Sequence, residues 1–478
     1  MEQVEREAAT IVDEGSFTPV SDELVSRDPL DYPGYREALE RAGRDALQAG
    51  PALVAGHDIE LAIFDFSIMG GSMGEVVGER LARAFERAAA RAVPLVLATA
   101  TGGARMQEGM VSLVQMAKVV SARIESGRAG VPFIAVLLDP TTGGVLASVG
   151  NLADVTLAVV GATIGFAGPR VVHRFTGEPL PDDAHSAEFA VRHGLVDEIV
   201  EKGEIRAHLS VVLEVLTADD PEPAPEPAAG GSHSEIDPWA ALQTIRSQDH
   251  LRPPQLLVET ADRLVYLRGD RCGEDDPAVT CALVRIGGRR AVVIACDPQH
   301  TPRPSGYRKA RRGLAIAGRL ELPFVTLIDT RGADPSPESE ASGIAAEIAA
   351  TFEAMLTAPV PVLAVVTGEG GSGGALAFAT SDVLLAYSDS IFTVLDVEAA
   401  AEILWRDGGR SPDAARLLKI GAGALFDLRI ADGIIPGPVD AESLRSALTY
   451  HLSRLASRDN GADLSAQRRR RWRDVGST

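Results

Sequence analysis

The sequence repeats itself at a fixed distance, and this repeat limits the possible folds more than any other feature. VPLVLATATGGAR, which contains Pro94, precedes VPFIAVLLDPTTGGVLAS, which contains Pro132. In the same way LPFVTLIDTRGAD, with Pro323, precedes VPVLAVVTGEGGSGGALA, with Pro361. The spacing within the first pair of prolines equals that within the second, so one constant offset relates the two pairs. Agreement in pattern, order and spacing indicates two halves related by duplication.

Each half alternates apolar runs with helical patterns. A buried β-run leads into a glycine turn, an amphipathic helix of about 20 residues, a second β-run and a second glycine turn that opens a helix of small residues. Short connections between such elements predict parallel strands with right-handed crossovers, and therefore an α/β fold or a layered β-β-α fold.

The chain divides into four segments by composition. The halves are predicted at 1–216 and 239–457, and they are joined by a linker at 217–238 that is rich in Pro, Glu and Gly. A polar and basic tail follows at 458–478, and its run RRRRWRD predicts a disordered end.

Charge and cysteine content exclude several classes of function. A formal charge of −21 and a pI of about 4.9 argue against nucleic acid or an anionic membrane as partner. An acidic N-terminus and the lack of long apolar runs predict a cytoplasmic protein. Cys272, Cys281 and Cys296 form no C-x-x-C pair, so we expect small buried side chains rather than a zinc ribbon or disulfides.

The stretch GEGGSGGALA is open to two interpretations. Gly368, Gly370 and Gly373 have the spacing of a dinucleotide-binding loop, and Asp389 follows about 20 residues after the loop, where a ribose ligand would lie. The corresponding turn of the first half, DPTTGG, lacks that spacing. Allowing a slip of one residue, the shared feature is the pair Gly143-Gly144 and Gly373-Gly374, which disfavours the dinucleotide interpretation.

A glycine pair between a strand and a helix permits close approach of a ligand to backbone amides that have no intrahelical partner. Each half also repeats an earlier turn, Gly102-Gly103 and Arg331-Gly332, that can face the later one. Two amides converging on one oxygen form an oxyanion hole for an enolate or a tetrahedral thioester intermediate. The alternative is that the glycines serve only for tight packing of strand and helix.

Longer motifs carry a resemblance to a known family. FSIMGGSMGEVVGER, TGGARMQEGMVSLVQMAK, DPTTGGVLASVGNLAD and IGFAGPRVV resemble the β subunit of the bacterial acetyl-CoA carboxylase carboxyltransferase. DPWAALQTIRSQDHLRPPQLL, GYRKARRGLAIAGRLELPFVTLIDTRGA, VTGEGGSGGALAFATSDVLLAYS and AEILWRD resemble its α subunit. The resemblance covers roughly 5–450, so the chain looks like a fusion of β and α subunits.

This resemblance implies two tandem domains of the crotonase (ClpP/crotonase) fold. It also implies transfer of CO₂ from carboxybiotin, carried on a separate protein, to the α-carbon of acetyl-CoA or another short acyl-CoA, which gives malonyl-CoA or a homologue. The implied partners are the biotin carboxyl carrier protein, biotin carboxylase and further copies of the chain in a homodimer or higher homo-oligomer. The nitrogen of biotin would remove the α-proton, so no side-chain base is needed.

The family's functional positions map onto glycine turns and cations of this sequence. The resemblance implies an acyl-CoA hole formed by Gly102, Gly103, Gly143 and Gly144, and a biotin hole formed by Arg331, Gly332, Gly373 and Gly374, with Gly370 and Gly371 beside it. The nearest cations for CoA phosphates are Arg105, Arg308, Lys309, Arg311 and Arg312. The alternative for the run of cations in GYRKARR is a solvated helix face.

Departures from the family pattern leave other functions open. The four-cysteine zinc ribbon of many β subunits is missing, so no zinc is expected, and the segment before GYRKARR is shortened to DPQHTPRP. The turn at Val394–Ala399 is altered, and we expect Asp396 to cap the helix that follows. The alternatives are a decarboxylase component that runs the transfer in reverse from a malonyl thioester, and a non-catalytic carboxylase subunit.

Overall fold

The computed structural model describes residues 3–178, 181, 183–217, 221–222, 224–225, 236–247, 250–456 and 463–475. Two compact units divide the chain. The first comprises 1–218 with 271–274, and the second comprises 219–270 with 275–478. Most of the predicted linker, namely 218–220, 223 and 226–235, lies outside the described residues. Within the described ranges, no helix has the length and apolar character needed to cross a membrane.

The first unit is built on one mixed sheet. Its helices are α1 (Gln3–Ile11), α2 (Tyr35–Ala42), α3 (Glu75–Arg91), α4 (Met110–Arg128), α5 (Gly143–Leu146), α6 (Pro169–Thr176), α7 (Ala187–Arg192) and α8 (Ile205–Thr217). Its strands are β1 (Leu47–Val54), β2 (His57–Phe64), β3 (Leu95–Thr101), β4 (Phe133–Thr142), β5 (Val155–Val159), β6 (Ile164–Gly165) and β7 (Glu198–Val200). The sheet order is β1-β2-β3-β4-β5-β7, β6 pairs with β4, and only the β1–β2 pairing is antiparallel.

The second unit repeats this plan. Its helices are α9 (Pro238–Ile245), α10 (Pro253–Thr260), α11 (Pro304–Arg319), α12 (Pro337–Ala341), α13 (Ile344–Thr357), α14 (Ser372–Ala379), α15 (Val397–Trp405), α16 (Ser411–Leu417), α17 (Ala422–Asp427), α18 (Ala441–Ala456) and α19 (Leu464–Asp474). Its strands are β8 (Arg263–Tyr266), β9 (Val279–Ile286), β10 (Arg289–Cys296), β11 (Phe324–Thr330), β12 (Val362–Gly371), β13 (Val383–Tyr387), β14 (Ile391–Thr393) and β15 (Gly433–Ile435). The order is β15-β13-β12-β11-β10-β9-β8, with β14 beside β12.

The central strands are buried along their whole length. Every residue of β3, β11 and β12 is buried, as expected for parallel strands in the middle of an α/β sheet. The apolar runs therefore predicted the sheet centre correctly, and the alternation of strands and helices predicted its parallel pairing.

The two units align in sequence without a gap across their site-bearing strands. The offset between the starts of β3 and β11 equals that between the starts of β4 and β12, and it is the offset of the repeated prolines. The register also shifts at equivalent places, before Thr101 in one unit and before Thr330 in the other. This confirms the predicted duplication.

The predicted slip of one residue at the second glycine turn is wrong. The same offset still holds where α5 begins at Gly143 and α14 begins at Ser372, and both residues have positive φ angles, 67° and 59°. Gly144 therefore corresponds to Gly373, and Gly374 corresponds to Val145. The offset changes only after this turn. Applied to the start of β5, it predicts a start for β13 one residue later than the observed Val383.

Two smaller predictions need correction. The basic run at the C-terminus is not a disordered end, because it forms α19, and the Arg468 side chain is buried. Cys281 and Cys296 are buried as expected, whereas Cys272 is exposed. Burial raises the pKa of the Cys296 thiol to about 12, which keeps it protonated and unreactive at neutral pH.

Candidate active site

The first unit brings its two glycine turns into backbone contact. Gly103 follows β3 with φ 105°, and Gly143 follows β4 with φ 67°. A Cβ atom on Gly103 would lie 3.1 Å from the Cα of Gly143, and one on Gly143 would lie 2.9 Å from the Cα of Gly103. Only glycine allows both the backbone angles and this approach, so the sequence pairs correctly identified the turns that meet.

The amides of these turns differ in what they already bind. The amide of Gly102 donates to the carbonyl of Gly70 at 2.9 Å, and that of Gly143 donates to the carbonyl of Phe166 at 3.0 Å. The amide of Gly103 donates to Thr101 Oγ1 at 3.0 Å. Gly144 is the second residue of α5, where no intrahelical carbonyl is available to its amide. The amides of Gly102 and Gly143 are thus held by backbone carbonyls, whereas that of Gly103 is held by a side-chain hydroxyl and that of Gly144 has no intrahelical partner.

The second unit repeats the arrangement. The amide of Gly332, which has φ 126°, donates to Thr330 Oγ1 at 3.3 Å, as Gly103 does to Thr101. A Cβ atom on Gly332 would lie 3.1 Å from the carbonyl oxygen of Gly371. Gly373 is the second residue of α14 and is exposed, and a Cβ atom there would meet nothing within 4 Å. We call Gly103 with Gly144 the first-unit site, and Gly332 with Gly373 the second-unit site.

Gly374 is required for close packing, unlike Gly373. It is buried, and a Cβ atom there would lie 2.6 Å from the amide nitrogen of Ala333 and 2.7 Å from the hydroxyl of Tyr307. Arg331 is exposed and provides the turn residue that corresponds to Gly102.

The remaining glycines of GEGGSGGALA are buried residues of β12. Added Cβ atoms would lie 2.3 Å from the Asp329 carboxyl carbon at Gly368, 2.3 Å from the Phe392 ring at Gly370 and 2.0 Å from the Arg331 carbonyl oxygen at Gly371. Close packing therefore accounts for Gly368 and Gly370, two of the three glycines in the dinucleotide spacing. The same packing argues against a direct cofactor contact for Gly370 and Gly371.

Asp389 does not have the environment of a ribose ligand. Burial raises the pKa of its carboxyl, and Gly437 lies against it, so that a Cβ atom there would be 2.5 Å from Asp389 Oδ1. This removes the second support for the dinucleotide interpretation.

Arg105 is not available to a CoA phosphate, and that prediction is wrong. Its side chain is fully buried, and it forms an ion pair with Asp45. Burial by itself lowers the pKa of the guanidinium, but the hydrogen bond and charge of Asp45 outweigh burial and raise it. The tyrosyl hydroxyl of Tyr35 accepts a further bond from Arg105 Nη1 at 3.0 Å.

The cation run of α11 is largely committed to internal ion pairs. Arg308 pairs with Asp270 at 2.7 Å and with Glu347 at 3.2 Å, and Arg311 also pairs with Glu347. Lys309 is buried and binds Asp275 at 2.5 Å. Arg312 is half-buried and donates to the carbonyl of Arg268 at 2.9 Å. Arg308, Lys309 and Arg311 hold the second unit together, which contradicts their predicted role as phosphate ligands.

A charged cavity of about 140 Å³ lies beside the second-unit site. Arg331 lines it together with Arg246 and Glu369, which form a two-point ion pair at 2.8 and 2.9 Å. His250 Nε2 and Asp329 Oδ2 lie 3.5 Å apart in the same cavity, and both side chains are buried. Sequence reasoning missed this cluster because its members come from distant segments without a shared motif.

The altered turn before α15 is capped as predicted. Asp396 Oδ1 accepts hydrogen bonds from the amides of Glu398 and Ala399 at 3.1 and 3.2 Å. Its other carboxylate oxygen binds Arg246 at 3.0 Å, which connects this cap to the charged cavity.

Sequence reasoning also missed a supporting loop in the first unit. Met69, Gly70 and Gly71 all have positive φ angles, between 51° and 64°. A Cβ atom on Gly71 would lie 2.0 Å from the Ala100 carbonyl oxygen, so this loop packs directly on the end of β3. The motif GGSMG was the available signal, because consecutive glycines mark such backbone angles.

A family model and several full-length relatives match this chain. The family model acetyl co-enzyme A carboxylase carboxyltransferase-like matches residues 228–476. A Salinispora arenicola protein named acetyl-coenzyme A carboxylase carboxyl transferase subunits beta/alpha is 41% identical over 98% of this chain and 90% of its own length. A Saccharopolyspora erythraea protein of the same name is 36% identical over 96% of this chain and 87% of its own length.

Solved structures agree in fold. A transcarboxylase 12S structure with methylmalonyl-coenzyme A and methylmalonic acid bound matches with a TM-score of 0.79 at 22% identity, covering 96% of this chain and 91% of that one. A single-chain, multi-domain long-chain acyl-CoA carboxylase matches with a TM-score of 0.74 at 20% identity, covering 94% of this chain and 45% of that one. The predicted pair of crotonase-like domains is thereby confirmed.

Proposed function

The chain belongs to the acetyl-CoA carboxylase carboxyltransferase family, and from that membership we propose that it carries a carboxyl group from biotin on a carrier protein to acetyl-CoA. It is a biotin-dependent acyl-CoA carboxyltransferase by family membership, and the relatives that match it over 98% of its length are named as acetyl-coenzyme A carboxylase carboxyl transferases. We also propose acetyl-CoA as the substrate, transfer toward it as the direction of the reaction, and the residue roles that follow.

The observation that carries the proposal is the repetition of one backbone arrangement in both units. Gly144 and Gly373 occupy equivalent positions in the two units. The earlier turn of each unit also has a glycine amide that donates to a threonine hydroxyl, Gly103 to Thr101 and Gly332 to Thr330. Carboxyl transfer involves two carbonyl oxygens, one on the thioester and one on the ureido ring. Two equivalent amide sites suit that requirement.

The first-unit site would stabilise the thioester enolate. As negative charge develops on the thioester oxygen, the amide of Gly144 donates to it from a fixed position. The amide of Gly103 can be shared between Thr101 Oγ1 and the same oxygen as a three-centre bond. Because these donors lie in backbone turns at the ends of two central strands, β3 and β4, they need no reorganisation when the charge forms.

The second-unit site would hold biotin. Its fit is supported by the open space beside Gly373, where a Cβ atom would meet nothing within 4 Å. When bound, biotin supplies the carboxyl group and a ring nitrogen that takes up the α-proton. The amide of Gly373 would orient the ring by donating to its carbonyl oxygen, and Arg331 is exposed at the edge of this site.

Partners follow from the family. We propose that a biotin carboxylase and a biotin carboxyl carrier protein supply the carboxylated biotin, and that the chain works as a homodimer or higher homo-oligomer. Exposed apolar side chains on each unit favour self-association: Met106, Met110 and Val114 on the first, and Val394, Ile403 and Leu417 on the second. Light scattering on the purified chain would test this, and a monomer at micromolar concentration would contradict it.

The transfer itself can be assayed in reverse without partners. Free biotin is supplied with malonyl-, methylmalonyl- or ethylmalonyl-CoA, and decarboxylation is followed. We expect turnover with malonyl-CoA to exceed turnover with the two larger thioesters. A preference for methylmalonyl- or ethylmalonyl-CoA would contradict the assignment of acetyl-CoA, and no turnover with any of them would contradict the two-site mechanism.

A further inference from the structure

Arg105 is not a ligand of a CoA phosphate, but it lies directly behind the first-unit site. Its backbone amide donates to the carbonyl of Met73 at 3.0 Å, and the amide of Met73 donates to the carbonyl of Gly103 at 2.8 Å. Two residues of the turn are therefore paired with the loop that precedes α3.

The guanidinium of Arg105 also binds the loop that precedes α3. Arg105 Nη2 donates to the carbonyl of Ser72 at 2.8 Å, and Nε donates to Ser72 Oγ at 3.2 Å. Ser72 Oγ in turn donates to the carbonyl of Met69 at 2.7 Å. Met69 is a non-glycine residue with φ 51°, a conformation that persists only where surrounding contacts impose it.

On its far side the guanidinium is anchored to fixed groups. Asp45 accepts from both terminal nitrogens of Arg105, and Tyr35 accepts from Nη1. Tyr35 also donates to Glu108, whose other carboxylate oxygen accepts from the amide of Glu75 at the start of α3. The turn, the loop and α3 are thereby joined through one buried cluster.

The second unit makes the equivalent backbone bond with a different side chain. The residue of the second unit that the constant offset equates with Arg105 is Asp334, and its amide makes the same backbone bond, to the carbonyl of Pro302 at 2.9 Å. Its side chain, however, turns to Ser336 and Ser339 at the start of α12. The backbone pairing forms without a guanidinium in the second unit, so the guanidinium of Arg105 is not needed to make that bond.

We propose that Arg105 is a positioning residue that holds the Gly103 amide opposite Gly144. This rests on the proposed function, because it assumes that these two amides bind the developing oxyanion. A shift of the turn by a fraction of an ångström would weaken the bonds made at the transition state more than the many contacts that bind CoA. Loss of the guanidinium should therefore lower kcat and leave KM nearly unchanged.

The test compares Arg105→Lys with Arg123→Lys in the full chain, using malonyl-CoA and free biotin. Arg123 is a matched control, since it is also buried in the first unit and paired with a buried carboxylate, Asp154 at 3.1 Å. A lysine keeps the charge but cannot reach Asp45 and Ser72 together. We expect Arg105→Lys to lower kcat about 10- to 100-fold with KM within about threefold, and Arg123→Lys to change kcat less than about threefold.

A milder variant keeps the test decisive if Arg105→Lys does not fold. Ser72→Ala removes the two bonds of the Ser72 hydroxyl, to Arg105 Nε and to the Met69 carbonyl, and keeps the bond from Arg105 Nη2 to the Ser72 carbonyl. We therefore expect a folded protein with kcat about 3- to 10-fold lower and KM unchanged. An equal loss of kcat in the Arg105 and Arg123 variants, or full kcat in Ser72→Ala, would overturn the proposal.

Gly144→Val separates this proposal from the function on which it rests. If that variant keeps full kcat, the oxyanion assignment itself fails. If it abolishes turnover without lowering the melting temperature, and Arg105→Lys behaves like Arg123→Lys, only the positioning role fails. The melting temperature is measured because a Cβ atom on Gly144 would lie 2.6 Å from Met116 Sδ, on a side chain that can move aside.

Discussion

The guanidinium of Arg468 and the carboxylate of Asp382 form a two-point ion pair inside the second unit, with Nε–Oδ1 and Nη2–Oδ2 distances of 3.0 and 2.7 Å. The same guanidinium donates to the carbonyls of Met355, Ala358 and Val360, which follow or end α13. Asp382 also accepts from the amide at the start of β12, at 2.7 Å. The C-terminal helix thus fixes the connection into the strand that carries the second-unit site.

Arg468→Ala should destabilise the protein strongly. The substitution leaves the carboxylate of Asp382 buried without its partner, which typically costs about 3 to 5 kcal/mol. Urea unfolding followed by circular dichroism measures this change. Arg469→Ala, one residue away and exposed, is the control and should shift the free energy of unfolding by less than about 0.5 kcal/mol. Equal effects of the two variants would contradict the structural role of α19.

Substitutions at Gly373 and Gly374 should have opposite consequences. At Gly373 an added side chain enters open space, so Gly373→Val should keep its melting temperature and lose about 100-fold or more in kcat. At Gly374 a Cβ atom would collide with the Ala333 amide, so Gly374→Val should fail to fold stably. Thermal unfolding and the malonyl-CoA assay measure both effects. Full activity of Gly373→Val would contradict the assignment of the second-unit site.

The buried hydroxyl of Tyr35 should make the protein sensitive to alkali. Burial raises the pKa of Tyr35 to about 12 from 10.0, so between these pH values the unfolded chain loses this proton before the folded protein does. Its contribution to stability is complete below pH 10 and is lost at about 1.4 kcal/mol per pH unit up to pH 12.

Urea unfolding at two alkaline pH values measures this slope. Tyr35→Phe should show a shallower decline, although it loses two hydrogen bonds and starts from a lower stability. Tyr307, whose pKa burial also raises, is present in both proteins, so the difference between the slopes reports Tyr35 alone. Identical slopes would show that Tyr35 titrates normally in the folded state.

Removing the charge of Arg311 should affect stability and not CoA binding. Its guanidinium binds Glu347 and Thr351, so Arg311→Ala should cost about 1 to 3 kcal/mol. Steady-state kinetics should give a KM for malonyl-CoA within about twofold of the parent value. A tenfold rise in KM with unchanged stability would restore the phosphate role predicted from the sequence.

The fold was predictable because its signal is local and repeated. The apolar runs at β3, β4, β11 and β12 are buried strands in both units, and their common spacing required one architecture twice. The disordered tail was wrongly predicted from composition, since four consecutive arginines usually indicate a solvated segment. The contacts that bury Arg468 lie far away in the chain, at Asp382 and Met355, and no local pattern reports them.

The site was predictable only in part, because some of its contacts join residues that are distant in the sequence. Glycine spacing located the turns that meet, because close approach of two backbones demands glycine at both. It misaligned the second pair, since Gly373-Gly374 looks like Gly143-Gly144 in letters, whereas the backbone angles equate Gly143 with Ser372. The burial of Arg105 depends on Asp45 and Tyr35, which lie in distant parts of the sequence.

The sequence offset between the two units is constant from Met73 to Gly143. Each residue of this range can therefore be compared with its equivalent in the other unit. Where the halves carry the same bond at the same offset, as at Arg105 and Asp334, geometry alone accounts for it. Where equivalent residues of the two units share a backbone bond but differ in side chain, the backbone geometry is the same in both. The difference in side chain then points to a difference in function between the two units. Segments 95–142 and 324–371 are equal in length, so exchanging them within one polypeptide would show which half of the chemistry each one dictates.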